Sequence, residues 1–435
     1  MNKPAPEASS SAWSVLRHPG FRWFFIAQIF SITGSAMQLA AVNWDVWRIT
    51  HNELALGVVG LVRVVPIIIL SLLGGVVADA IDRRKLQLAT QSLMLVFAAL
   101  LAIVTISGSE SLALIYVLTA AMSGMSAFDQ PARNAMVTNL VAPHEISNAA
   151  RLNVVMYTVT AVFGPVIAGL IIGTFGSGAA YLFNALSFIP VVIVLFGLRR
   201  FVFPATLGAK RAISFNAMFE GLRFVKGSPL LWSTMLVDFF ATLLASATVL
   251  LPVYATDVLK VGATGYGILS AAPAIGATLG AIVMAQYGGR IMKQGVVMLW
   301  AVALFGVSTI VFGYATVFWL SLLALAGTGF TDSISAGIRS PLRQVLTPDH
   351  LRGRMLSVNM IFFMGGPQLG EFEAGVVANL FGPVASVVTG GVATVLAVAW
   401  IAYNFPTLTR YRTGMELAEA DALKRESAVI TPSGD

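Results

Sequence analysis

Five carboxylates interrupt long apolar stretches of this chain: Asp45, Asp238, Asp332, Glu371 and Glu373. A carboxylate in a low-dielectric environment holds its proton more tightly than in water, so it can exchange that proton near neutral pH. We therefore treat these residues as candidates for proton coupling. For each of them the alternative is a buried, hydrogen-bonded group. Glu371 and Glu373 lie about 200° apart around a helix, so at most one of them faces a given cavity.

Arg63 is predicted to lie well inside an apolar stretch, just before Pro66. A buried guanidinium needs an anionic partner. Asp45 is one candidate, and an anionic group on a substrate is the other. Several polar and aromatic residues are further candidates for substrate contacts, although aromatic residues are also common at membrane interfaces. They are Gln38, Asn43, Trp44, Phe239 and Phe240.

The composition is that of a polytopic membrane protein. The chain has 435 residues, of which 57% are hydrophobic and only 11% charged, whereas soluble proteins have roughly 25% charged residues. Apolar stretches near the ~20 residues that span a bilayer as a helix recur along the whole sequence. They predict an all-α fold of 12 transmembrane helices near 21–48, 54–78, 86–107, 112–134, 149–174, 179–198, 230–252, 265–287, 295–314, 317–339, 355–381 and 384–405.

The basic residues predict the orientation of these helices. Cytoplasmic loops of membrane proteins are enriched in Lys and Arg. If both termini are cytoplasmic, all of the 27 basic residues fall on that side except Arg48, Arg63 and Lys260. The net charge of +7 is thus spread over many inner loops. This pattern indicates attraction to anionic membrane lipids rather than nucleic-acid binding.

Motifs for enzymatic chemistry are missing from the sequence. The chain contains no cysteine, and its four histidines are not paired at metal-ligand spacing. Neither a Walker loop nor a serine nucleophile elbow occurs. We therefore predict no enzymatic activity, no metal and no cofactor.

The short loop after the second predicted helix carries a recognisable motif. Gly75, Asp79, Arg83 and Arg84 follow a pattern of Gly, three residues, Asp and then a basic pair. This pattern resembles the signature loop of the major facilitator superfamily, with Asp82 where many members have Gly. The resemblance implies that Asp79 caps the N-terminal end of helix 11.

The same resemblance implies an inner gate around this loop. Arg83 and Asp129 are expected to form an ion pair, and Arg133 lies one helical turn from Asp129. Together with the loop motif, these contacts would latch the cytoplasmic side. The alternative is that the basic triplet only anchors the topology.

The sequence also contains a divergent internal repeat. The segment that follows Arg133 resembles the segment that follows Arg339, about 205 residues later. Each precedes a long helix with Gly-Pro at mid-span and Phe-Gly at its end. The packing motif comprises Gly164, Pro165, Gly169, Gly366 and Pro367.

This repeat predicts two six-helix bundles, a common plan among transporters. The predicted organisation is an N-terminal tail (1–20), a first bundle (21–198), a linker with an amphipathic helix (199–229), a second bundle (230–405) and a C-terminal tail (406–435).

A closer resemblance covers almost the whole membrane region. Phe128-Asp129-Gln130-Pro131-Ala132-Arg133 and Arg352-Gly353-Arg354 are similar to segments of the enterobactin-exporter branch of the superfamily. Gly164-Pro165 followed by Ala168-Gly169 partly matches a drug/proton antiporter signature, with Thr160 at a position where that signature has Gly.

The resemblance implies a monomeric exporter of the bacterial inner membrane. Its expected substrate is a small molecule, siderophore-like or lipophilic and drug-like, exchanged for protons by alternating access. Proton-coupled uptake and a non-transporting sensor or scaffold are the alternatives.

Overall fold

The computed structural model describes residues 12–80, 82–198, 222–348 and 351–412, without the side chains of residues 12, 71–80, 352–354, 356–358 and 360–364. Twelve long helices occur in this part of the chain. The first six are α1 (Pro19–Thr50), α2 (Glu53–Ala80), α3 (Arg83–Ile106), α4 (Leu112–Leu140), α5 (Ile146–Phe175) and α6 (Ser177–Gly197). The second six are α7 (Pro229–Leu244), α8 (Gly262–Tyr287), α9 (Gln294–Tyr314), α10 (Phe318–Val345), α11 (Arg352–Phe381) and α12 (Pro383–Asn404).

Most of these helices can cross a bilayer. The described residues contain 10 spans that are long enough and apolar enough to cross a bilayer, and the seventh of these, Pro229–Val258, combines α7 with the turns that follow it. The helices α10 and α11 are not among these spans. The all-α membrane fold predicted from the sequence is confirmed. The linker 199–229, with its predicted amphipathic helix, lies largely outside the described residues. Its residues 222–227 are described, and they are helical.

The helix boundaries follow from local chemistry. Asp82 caps α3, because its side chain accepts hydrogen bonds from the backbone N–H groups of Arg84 and Lys85 at 2.9 and 3.2 Å. Gly176 and Gly382 separate α5 from α6 and α11 from α12, with φ of +81° and +88°. Side chains are strained at such φ values, so glycine suits both turns. The matching turns agree with the internal repeat.

The seventh predicted span, 230–252, is not one continuous helix. The helix α7 ends at Leu244, and the chain continues through a 3-10 turn (Ala247–Leu250) to a π-helical turn (Tyr254–Val258). Pro252 follows the break and stands at the start of the short helical turn Leu251–Val253, where its missing N–H costs no hydrogen bond.

Packing groups the described residues into two units. The first unit is Met1–Val42 with Val65–Arg211, and the second is Asn43–Val64 with Ala212–Asp435. In the first unit, a core of aromatic and aliphatic side chains joins α1 to α4, α5 and α6. In the second unit, a core joins α7 to α9, α10 and α12. The segment 43–64, which holds the end of α1 and the start of α2, thus packs with the second unit.

Candidate functional site

An ion pair joins α2 and α11 within the second unit. Arg63 Nη1 lies 3.4 Å from Glu371 Oε2, and the two side chains are only 21% and 15% exposed. Asp45, the partner considered for Arg63 from the sequence, instead accepts from Arg48 Nε at 3.1 Å. Of Glu371 and Glu373, Glu371 is therefore the one that pairs with Arg63. Glu373 is half-buried and has no ion-pair partner among the described side chains.

Glycines bring the backbones of α2 and α11 together beside this ion pair. A Cβ atom on Gly57 would lie 3.0 Å from the Cα of Gly375, and one on Gly60 would lie 2.5 Å from the carbonyl oxygen of Gln368. Side chains at these positions would push the helices apart. We call Gly57, Gly60, Arg63, Glu371 and Gly375 the α2–α11 contact.

The end of α1 is also anchored in the second unit. The Trp47 indole donates to Thr256 Oγ1 at 2.9 Å, and the Trp44 ring lies 5.5 Å from the Tyr266 ring, centroid to centroid. Asn43 is half-buried beside Trp44. The candidate Trp44 and its neighbour Trp47 therefore anchor the end of α1 in this structure.

A second group of charges lies between α7 and α10. Arg339 Nη2 is 2.9 Å from Asp238 Oδ1 and 3.1 Å from Asp332 Oδ1. Arg343 Nη2 is 3.3 Å from Asp238 Oδ2 and also donates to the carbonyl oxygen of Thr234 at 2.8 Å. We call Asp238, Asp332, Arg339 and Arg343 the charge network. It is electrically neutral when all four groups are ionised.

The two aspartates of the charge network differ in exposure. The side chain of Asp238 is 7% exposed and is held by both arginines, whereas that of Asp332 is 46% exposed. Asp238 is therefore enclosed by positive charge, and Asp332 is the carboxylate that small ions and molecules can reach.

Sequence reasoning missed the two arginines. It placed Arg339 and Arg343 in a cytoplasmic loop after a helix ending at 339 and left Arg63 as the only interior cation. In the structure α10 continues to Val345, and both arginine side chains are 7% exposed. The spacing of Asp332, Arg339 and Arg343, at seven and four residues, was the available signal, because it puts all three on one helix face.

A cavity of about 650 Å³, including its open mouth, lies beside Asp332 in the second unit. Residues of α7 to α11 line it, and Phe305, Phe312 and Pro367 form part of its apolar wall. Phe239 and Phe240 are not among the lining residues. Phe240 packs against the hydrophobic core of the second unit instead.

In the first unit, polar groups converge on Asp129. Its Oδ1 accepts from Thr90 Oγ1 at 3.1 Å and from Gln91 Nε2 at 2.9 Å, and Arg133 Nη1 lies 3.5 Å from Oδ2. Arg84 donates to the carbonyl of Leu195 at 2.6 Å. The side chain of Asp79 is not among those described, so its predicted cap on helix 11 remains a prediction. The same gap covers Gly75.

The remaining candidates contribute to packing. Gln38 is buried, and its side-chain oxygen accepts a hydrogen bond from Asn184 of α6. The side-chain amide of Gln38 is thus engaged in a contact within the first unit. A Cβ atom on Gly164 would lie 2.6 Å from the Cβ of Ala36, so α5 approaches α1 closely there, next to Pro165 and one turn before the buried Gly169. A Cβ atom on Gly366 would lie 2.6 Å from Thr242 Oγ1, beside Pro367.

Known proteins resemble the chain over most of its length. The enterobactin exporter EntS of Salmonella choleraesuis (strain SC-B67) is 24% identical over 403 residues, 93% of this chain and 96% of the exporter. The multidrug efflux pump Tap of Mycolicibacterium fortuitum is 27% identical, over 80% of this chain and 87% of the pump. The staphyloferrin A transporter of Staphylococcus aureus (strain NCTC 8325 / PS 47) is 25% identical, over 86% and 93%.

Solved transporter structures share the fold. A bacterial homolog of the human lysosomal transporter Spinster superposes with a TM-score of 0.72 at 14% identity, covering 90% of this chain and 99% of that one. A bacterial homologue of the iron transporter ferroportin gives a TM-score of 0.66 at 16% identity, with the same coverage.

The family model described as transmembrane secretion effector matches residues 10–422, nearly the whole chain. The chain therefore belongs to the transmembrane secretion effector family, and it is a multi-pass secondary transporter of the major facilitator superfamily.

Proposed function

We propose that this protein exports a small molecule across the bacterial inner membrane in exchange for protons, and that Glu371 carries the proton. The observation that carries this proposal is the ion pair between Arg63 and Glu371 in two membrane-spanning helices. Both termini are taken to be cytoplasmic, from the distribution of basic residues. The start of α2, with Gly57 and Arg63, then lies toward the outer face.

The energetics of the pair link protonation to helix contact. An ion pair in a low-dielectric site is strongly coupled, and removing one charge leaves the other uncompensated. Protonation of Glu371 leaves Arg63 without its counter-charge, so the α2–α11 contact weakens. A substrate group that binds either partner breaks the same bond. Proton and substrate can thus substitute for each other in releasing the contact, which is what exchange requires.

The relatives support export of a small molecule. Their names give enterobactin, staphyloferrin A and multiple drugs as cargo. A siderophore-like or lipophilic drug-like substrate therefore fits this chain. Chemistry alone favours a molecule with a polar group that competes for Arg63 or Glu371 and an apolar body that tolerates the membrane interior.

The test uses inside-out membrane vesicles energised by respiration, with a pH-sensitive dye inside. Siderophores, lipophilic drugs and sugars are added in turn to vesicles with the wild type, Glu371→Gln or the matched control Glu373→Gln. We expect one class of compound to dissipate the pH gradient with the wild type and with Glu373→Gln, but not with Glu371→Gln.

Two results would contradict the proposal. An equal response from Glu371→Gln would remove Glu371 from the proton path. A lack of response to every compound, from wild-type protein shown to be folded and inserted, would argue against proton-coupled export of these classes and favour uptake or a non-transport role.

A further inference from the structure

The cavity beside Asp332 presents hydrogen-bond acceptors to its interior. A hydroxyl group has a single hydrogen to donate. Thr242 donates its hydrogen to the carbonyl of Asp238 at 2.9 Å, and Ser246 to that of Pro367 at 3.3 Å. Thr328 donates to Leu325 at 2.6 Å. These lining hydroxyls are therefore left with lone pairs to offer to a ligand.

Asp332 adds a charged acceptor to the cavity. Its contacts with Arg339, at 3.1 and 3.2 Å, all use Oδ1. Within the described part of the chain, Oδ2 has no hydrogen-bond partner, and the side chain is 46% exposed. Arg339 also contacts Asp238 at 2.9 Å. A ligand that binds Oδ2 of Asp332 therefore need not displace the arginine.

The apolar walls of the cavity indicate that the rest of the ligand is apolar. Phe305, Phe312, Pro273 and Leu325 line the cavity with hydrocarbon and aromatic surface. Aromatic rings also attract organic cations.

We propose that this cavity is a binding site for an apolar molecule bearing a protonated amine, with Oδ2 of Asp332 accepting from the ammonium group. The inference rests on the proposed function for its role as a substrate site. The binding itself is independent of transport, so the two ideas can fail separately.

The test measures equilibrium binding to the full-length protein in lipid nanodiscs. The probe is monodansylcadaverine, a fluorescent apolar group on a primary amine, and its N-acetyl derivative is the neutral comparison. We expect the amine to bind at least about tenfold more tightly than the acetyl derivative. Asp332→Asn should abolish that preference, because the carboxylate that selects the ammonium is gone.

Two further variants complete the design. Thr328→Phe, one turn from Asp332, should fill the cavity and weaken binding of both probes without removing a charge. Asp257→Asn, the same chemical change on the exposed turn after α7, should leave both affinities as in the wild type.

The site is refuted if the two probes bind the wild type equally. It is also refuted if Asp332→Asn keeps the preference for the amine, or if folded Thr328→Phe binds as the wild type does. If Asp332→Asn fails to fold, the wild-type preference and Thr328→Phe still decide. None of these results alters the vesicle test of Glu371.

Discussion

The aspartates of this protein differ in their surroundings more than their sequence positions suggest. Asp238 is enclosed by Arg339 and Arg343, whereas Asp332 shares only Arg339 and opens onto a cavity. A carboxylate between two buried guanidinium groups compensates both of their charges, and its removal would leave them unpaired. We therefore assign Asp238 to the architecture of the second unit and Glu371 to coupling.

This assignment predicts a difference in stability between two substitutions. Asp238→Asn removes the shared partner of two buried arginines and should cost about 3–5 kcal/mol of folding free energy. Asp332→Asn should cost less, because the side chain is half-exposed and Arg339 keeps Asp238. Thermal melting of the purified proteins in one detergent measures the comparison. Equal melting temperatures for Asp238→Asn and the wild type would contradict it.

At the scale of helices, the contact between α2 and α11 combines glycines with an ion pair. The glycines allow the backbones to meet, and Arg63 and Glu371 then come within 3.4 Å. Close helix contact in a membrane depends on such small residues. Because protonation of Glu371 would remove the ion pair with Arg63, this contact is suited to opening and closing during transport.

The absence of cysteine from the sequence permits a direct test of this contact. Arg63→Cys and Glu371→Cys together should react with a short, reducible bifunctional thiosulfonate that links α2 to α11. We expect substrate exchange between the two sides in the absence of a pH gradient, which does not need the carboxylate, to stop in the cross-linked protein and to return after reduction.

The matched controls are the two single-cysteine variants treated with the same reagent. Undiminished substrate exchange by a protein shown to be cross-linked would mean that α2 and α11 need not separate during the cycle. Failure of the two cysteines to cross-link would place the helices farther apart than the contact requires.

At the scale of the whole molecule, much of the fold could be predicted from the sequence. Apolar length locates the helices, because each must satisfy its own backbone hydrogen bonds in the bilayer. The predicted span 54–78 corresponds to Glu53–Ala80, and 112–134 to Leu112–Leu140. Two predicted boundaries were wrong: α10 continues past Arg339, and α7 stops at Leu244.

The site was less predictable, for a physical reason. Candidate carboxylates could be chosen because a charge within an apolar helix is costly. Their partners could not, because Arg63 and Glu371 lie 308 residues apart and meet only through tertiary packing. The cavity likewise depends on five helices at once. Residue type indicates which groups need a partner, and only the fold supplies the partner.

The most direct test of the central claim compares two transport modes of one variant in proteoliposomes. The labelled substrate is the compound identified with the vesicles, and the proteins are the wild type and Glu371→Gln. Glutamine resembles the protonated glutamate, so the α2–α11 contact should still open, and substrate should exchange between the two sides without a pH gradient. Accumulation driven by a pH gradient should be lost. Wild-type accumulation by Glu371→Gln would contradict the assignment of Glu371 as the proton carrier.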